Sequence, residues 1–122
     1  MTRILYIDDE ADIREVAQIS LELDPEFEVR GCASGPDGIA EAAAWRPALI
    51  LLDVMMPGMD GPTTFARLRE QPGTADIPVV FITARTQTRE VEGFRELGAR
   101  GVLAKPFDPM TLADQVRGLL DG

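Results

Sequence analysis

The 122-residue sequence predicts a three-layer α/β/α domain, doubly wound around a five-stranded parallel sheet with strand order 2-1-3-4-5, and three observations predict it. Four short apolar runs, Ile4–Ile7, Ala48–Leu52, Val79–Ile82 and Val102–Ala104, show no alternation of apolar with polar residues. Strands buried on both faces read this way, and they belong to parallel sheets covered by helices. Segments with helical spacing lie between the runs, so that strand and helix alternate five times. Right-handed crossovers then leave few ways to wind the chain, and the doubly wound open sheet covers both faces.

The elements follow in order. The first strand leads into a helix whose apolar stripe is read as Ile13, Val16, Ile19 and Leu23. Phe27–Arg30 does alternate, which predicts an edge strand. Weaker periodicity at Ile39, Ala42 and Ala43 supplies a second helix before the third strand. Gly61-Pro62 is read as N-cap and first-turn proline of the third helix. Val91 and Phe94 mark a fourth helix, closed by Gly98 after Leu97. After the last strand, Asp108-Pro109 is read as the start of a fifth helix with the stripe Leu112, Ala113, Val116, Leu119 and Leu120. No linker, repeat or low-complexity stretch interrupts the series, so residues 1–122 are expected to form one domain.

Composition removes whole classes of function. The sequence has no histidine, which excludes a Ser-His-Asp or Cys-His triad, a histidine metal ligand and a phosphohistidine. Its one cysteine, Cys32, excludes an internal disulfide or a thiolate zinc cluster and reads as a small apolar residue near a strand end. No apolar run approaches the roughly 18 to 20 residues of a membrane span, and Met1-Thr2-Arg3-Ile4 opens no signal peptide. The expectation is a cytoplasmic protein with no membrane partner.

Charge is uneven. There are 21 acids against 12 bases, net −9, and the first 61 residues carry the whole surplus, with 13 acids and four bases. Direct binding of nucleic acid is therefore not expected, whereas a divalent cation is a natural partner. Most of the acids read as solvated surface. Among the bases, eleven are arginine and one is lysine, Lys105.

The polar residues that end the four apolar runs are Asp8, Asp53, Thr83 and Lys105. Parallel strands place their C-terminal ends on one sheet edge, where ligands bind in open α/β sheets, so these side chains are expected to converge. Each alone has an ordinary reading: Asp8-Asp9 as helix-start acids, Asp53 as a turn residue, Lys105 as a surface lysine and Thr83 as a strand residue. Together they are far more specific. Three carboxylates so close raise one another's pKa unless a cation joins them, and a hard, oxygen-liganded ion such as Mg²⁺ suits them. A lysine ammonium beside them fits a point contact to a phosphoryl oxygen, and a carboxylate can accept a phosphoryl group as a nucleophile. The inventory matches phosphoryl acceptance on one aspartate.

At this point the chain resembles the receiver domains of two-component response regulators, single-domain chemotaxis-regulator-like members included, with their flavodoxin-like fold. The resemblance rests on Ile7-Asp8-Asp9-Glu10, on Leu51 through Gly61 (LLDVMMPGMDG), on Ile82-Thr83-Ala84 and on Lys105-Pro106-Phe107, and spans essentially the whole chain. It implies that Asp53 is the phosphorylated nucleophile. Asp9, Asp53 and the backbone carbonyl of Met55 would bind Mg²⁺ directly, and Asp8 would act mainly through a metal-bound water. Lys105 would pair with the phosphoryl group, Thr83 would donate its hydroxyl to it, and Gly58 and Gly61 would lend backbone freedom to the loop after the acceptor. The donor would be a phosphohistidine on a sensor histidine kinase or histidine phosphotransfer protein.

The chain departs from the family where many members carry an aromatic residue three before the lysine. Val102 stands there and has no comparable rotamer sweep, so readout is expected through the loop after Thr83 and the fourth helix. Met55 and Arg85, two residues after Asp53 and Thr83, occupy positions that in the family tune acyl-phosphate lifetime; apolar Met55 predicts a longer one.

The resemblance implies a signalling phosphoacceptor rather than an enzyme, with self-catalysed transfer and slow acyl-phosphate hydrolysis. Its output would be a change in the downstream protein bound at the helix 4–strand 5–helix 5 face, a phosphorylation-dependent dimer being one form. The alternative is a receiver excised from a longer regulator or hybrid kinase. Less favoured is a Mg²⁺-dependent aspartate-nucleophile phosphatase, whose second acid, two residues on, is here Met55.

Overall fold

The computed structural model describes residues 1–121 and alternates strand and helix five times: β1 (Thr2–Ile7), α1 (Ala11–Leu21), β2 (Phe27–Cys32), α2 (Gly35–Trp45), β3 (Leu49–Asp53), α3 (Gly61–Glu70), β4 (Val79–Thr83), α4 (Thr88–Glu96), β5 (Gly101–Ala104) and α5 (Leu112–Asp121). The sheet order is β2-β1-β3-β4-β5, and every pairing is parallel. This is the predicted α/β/α architecture, with the alternating Phe27–Arg30 segment at an edge.

Two-sided burial explains why the central runs carry no polar alternation. Successive strand residues point to opposite faces, and here each face has its own helix layer. Ile4, Tyr6, Leu49, Leu51, Val80 and Ile82 pack in one cluster with Ala17 and Leu21 of α1 and Leu112 and Val116 of α5. Leu5, Ile7, Ile50, Leu52, Val79 and Phe81 pack in the other, with Ala42 and Trp45 of α2, Phe65 and Leu68 of α3, and Phe94 of α4.

Four local readings need correction. In α1 the buried residues are Ala17, Ser20 and Leu21, whereas Val16, Ile19 and Leu23 of the expected stripe are 43, 61 and 57 % exposed and only Ile13 packs partly on the core. Small side chains let this helix lie close to the sheet, and Ser20 satisfies its hydroxyl by donating to the Val16 carbonyl at 2.6 Å. In α2, Ala42 is buried but Ala43 is exposed, the inward face being completed by Gly35, Gly38 and Trp45. The cap of α3 is Asp60, whose Oδ1 accepts from Thr63 N at 2.9 Å; Gly61 and Pro62 follow it inside the helix. Asp108 accepts from Met110 N at 2.9 Å and shapes a turn, and α5 begins only at Leu112. Gly98 meets expectation: it follows α4 with φ +108°, a value that favours glycine, and its N–H bonds the Arg95 carbonyl at 2.9 Å.

Candidate functional site

The topology delivers Asp8, Asp53, Thr83 and Lys105 to one edge. Asp53 and Thr83 are the last residues of β3 and β4, and Asp8 and Lys105 directly follow β1 and β5. Because β1 and β3 are neighbours in register, with Ile7 opposite Leu52, the two acids that follow stand side by side. Carboxylate oxygens of Asp8, Asp9 and Asp53 lie within 4.8 Å of one another. Lys105, 97 positions from Asp8, closes the cluster: its Nζ is 3.0 Å from Asp8 Oδ2, 3.3 Å from Asp53 Oδ1 and 3.3 Å from Glu10 Oε1.

The three acids are not equivalent. Asp8 is fully buried and well held: Oδ1 accepts from the Glu10 amide at 2.9 Å, and Oδ2 accepts from the Tyr6 hydroxyl at 3.1 Å as well as from Lys105. Asp9 is exposed. Asp53 is 3 % exposed, and its buried Oδ2 has no hydrogen-bond partner. A buried carboxylate oxygen without a donor is costly, and nearby positive charge would remove the cost. Burial first, and then the Asp8 charge, push the Asp53 carboxyl up to about 6, against the opposing pull of Lys105. Burial works against the charge on Lys105, but the hydrogen bond to Asp8 and the charges of Asp53 and Asp8 outweigh it and raise the ammonium pKa. The Tyr6 hydroxyl is held firmly protonated by burial and by the adjoining Asp8 charge.

Thr83 lies at the same edge, where its Oγ1 accepts from Arg85 N at 3.0 Å. A groove of about 580 Å³ runs over Asp53 and is shared by Thr83, Ala84, Met55, Lys105 and Phe107, with Ile13 and Val16 of α1 along its rim. Met55 is 80 % exposed there. Val102 sits away from the carboxylates, opposite Phe81 in the β4–β5 register and half-buried against the second core cluster.

The loop glycines act differently from one another. Gly58 has φ +76° and needs the left-handed region. Gly61 needs closeness instead of freedom: a Cβ there would lie 2.5 Å from the Asp53 carbonyl oxygen and 2.8 Å from Val54 Cα.

Three residues at the site were not singled out from sequence. Tyr6 donates to Asp8, Glu10 shares Lys105, and the Arg14 guanidinium donates to the Asp8 carbonyl at 2.7 Å. A signal existed for Tyr6, which lies two residues before Asp8 and therefore on the same strand face. For Glu10 and Arg14, whose partners depend on how α1 leaves the sheet, there was none.

Chemically, the cluster can hold a hard divalent cation, since carboxylate oxygens are the donor set and the unpartnered Asp53 Oδ2 offers a ligand position. It also offers a carboxylate nucleophile beside a cation.

Comparison with known proteins identifies the family. The family model for the response regulator receiver domain matches residues 4–117. The chain is 42 % identical over 121 residues to the DNA-binding dual master transcriptional regulator RpaA of Synechocystis, covering 98 % of this chain and 49 % of that protein. It is 44 % identical over 120 residues to the response regulator PleD of Caulobacter vibrioides, covering 96 % of this chain and 26 % of the relative. The chain thus spans about half the length, or less, of these curated relatives. Among solved structures, the chemotaxis protein CheY4 of Vibrio cholerae superposes with a TM-score of 0.88 at 31 % identity, with 98 % of each chain covered. With the matched family model spanning nearly all of its length, the chain belongs to the response regulator receiver domain family.

Proposed function

We propose that this receiver domain accepts a phosphoryl group on Asp53. The observation that carries the reading is the state of that carboxylate: buried, short of one partner at Oδ2, and 3.3 Å from Lys105. In the transfer, an Asp53 carboxylate oxygen forms a bond to phosphorus as the bond to the donor's imidazole nitrogen breaks, and the electron pair leaves with the imidazole. Lys105 turns its ammonium to the phosphoryl oxygens and supplies positive charge there. Asp9, Asp53 and the Met55 carbonyl would hold Mg²⁺, and Asp8, with both oxygens already engaged, would act at one remove. Bound there, the ion would neutralise charge shared by the acceptor and the phosphoryl oxygens. Thr83 would turn its hydroxyl to the phosphoryl group, giving up the bond from Arg85 N.

The donor is a phosphohistidine on a sensor histidine kinase or phosphotransfer protein. Output is a change in partner binding at α4, β5 and α5, either to a downstream protein or to a second phosphorylated copy. Because Val102 is small, readout runs through the loop after Thr83 and α4. We assign no nucleic-acid contact to residues 1–122, whose acid surplus argues against one; the DNA-binding relative is about twice as long. A cytoplasmic location is proposed with it, in keeping with the absence, among the described residues, of any helix long and apolar enough to cross a membrane. Exposed Met55 cannot orient an attacking water, so Met55→Asn should shorten the phosphoryl lifetime.

The test is direct. Incubated with acetyl phosphate and Mg²⁺, the wild type should gain one phosphoryl group by intact mass, and Asp53→Ala should gain none. A wild type that takes no phosphoryl group from this donor or from a panel of kinases would overturn the reading.

A further inference from the structure

The two donors to Asp8 Oδ2 differ in kind. Lys105 sits on a flexible stem and divides its charge among Asp8, Asp53 and Glu10 at 3.0, 3.3 and 3.3 Å. Tyr6 is embedded in β1, 1 % exposed, with its ring in the core between the sheet and helices α1 and α5. Its hydroxyl reaches Oδ2 at 3.1 Å from the same strand face and cannot swing elsewhere. Phosphoryl acceptance on Asp53, on which this inference rests, asks Lys105 to turn its charge from Asp8 to the incoming group. That move leaves Asp8, 0 % exposed, short of a donor at Oδ2 unless another donor stays.

We propose that Tyr6 is a positioning residue: its hydroxyl stays on Asp8 Oδ2 while Lys105 turns to the group on Asp53, so that the lysine is released without stranding a buried carboxylate oxygen. In the resting site the tyrosine bond is one of two from the protein at Oδ2; in the occupied site it is the protein bond that remains. Removing the hydroxyl therefore penalises the occupied site more than the resting one, and ties Lys105 to Asp8.

Tyr6→Phe deletes one oxygen and keeps the ring that fills the core. Beryllofluoride, a tetrahedral stand-in for a phosphoryl group on a carboxylate, is titrated by calorimetry into wild type and variant at saturating Mg²⁺. A lost hydrogen bond to a charged group predicts about tenfold weaker binding by the variant. Val116→Ala, in the same core cluster, serves as the packing control and should lower the melting temperature without that loss of affinity. Tyr6 is the single tyrosine of the sequence, so the ultraviolet Raman signature of its phenol is unambiguous. That signature should report a donor hydroxyl in the resting protein and a stronger one after beryllofluoride binds. Equal affinity for wild type and Tyr6→Phe, or loss of the donor signature on binding, overturns the inference while phosphoacceptance stands. A wild type that binds no beryllofluoride in Mg²⁺ overturns both. Should the phenylalanine variant not fold, the wild-type Raman result decides alone.

Discussion

Helices α3 and α4 cover the same face of the sheet and follow neighbouring strands, yet they are attached very differently. α3 buries Gly61, Thr64, Phe65 and Leu68, and Asp60 caps its first turn. α4 buries no residue, its N-cap Gln87 makes no side-chain bond, and Phe94, half-buried, holds it mainly by lying against Phe81 with centroids 4.6 Å apart. The firmly packed helix follows the strand that ends in Asp53, and the loosely packed one follows the strand that ends in Thr83. Segments with few buried contacts open at the lowest free-energy cost and are the ones drawn on for switching. Asp53, the proposed acceptor, is therefore built on the rigid side of this face, and a pliant element stands beside it.

The contrast can be broken by measurement. Phe65→Ala, at a side chain 3 % exposed on α3, should cost about 3–5 kcal/mol in urea unfolding, in line with other buried phenylalanine truncations. Phe94→Ala should cost less than half of that. Equal losses would mean that α4 is anchored as firmly as α3.

Asp53 itself burdens the rigid side. Its folded pKa of about 6 lies above the ordinary 3.8, so between those values the folded state binds more protons than the unfolded one. Stability linked to Asp53 is then complete below about pH 4 and is lost as pH rises through 6. Asp53→Asn should accordingly be more stable than wild type at pH 7 to 8, by on the order of 2 kcal/mol, with the gap closing towards pH 4. Chemical denaturation across pH checks this, and a gap that grows on acidification would contradict it. Added Mg²⁺ should narrow the gap at neutral pH by stabilising the wild type more than the variant, which lacks one of the carboxylates.

The remaining comparison makes one substitution on each helix. Gly61→Ala forces a methyl against the Asp53 and Val54 backbone, which cannot move aside cheaply, and should cost about 1–3 kcal/mol. Gly93→Ala, with nothing within 4 Å of the added carbon, should stabilise α4 by about 0.5–1 kcal/mol. Opposite signs in melting temperature are expected, and matching signs would erase the difference between the helices.

Much of this was legible in the sequence because unbroken apolar runs can be buried on both faces only in a covered sheet. The convergence of Asp8, Asp53, Thr83 and Lys105 at one edge follows from that arrangement, and the alternation at Phe27–Arg30 marked the edge strand. The inner face of α1 was not legible. Val16 and Ile19, two of its large apolar residues, are exposed, while Ala17, Ser20 and Leu21 form the buried face, so the stripe of branched residues did not mark the side that meets the sheet. Helix starts slipped where an aspartate caps a turn ahead of the helix, as at Asp108, or stands one residue earlier than the glycine–proline pair, as at Asp60. The sharing of Lys105 with Glu10 depends on loop geometry that no spacing encodes.

The most direct measurement places the acceptor on the chain. Borohydride reduces an aspartyl phosphate to homoserine and so marks the residue that carried it. After reaction with acetyl phosphate and Mg²⁺, reduction and peptide sequencing by mass spectrometry should find homoserine at position 53, and only when Mg²⁺ was present. Homoserine in place of Asp8, Asp9 or any other acid, or none at all in a chain that had gained phosphoryl mass, would contradict the account.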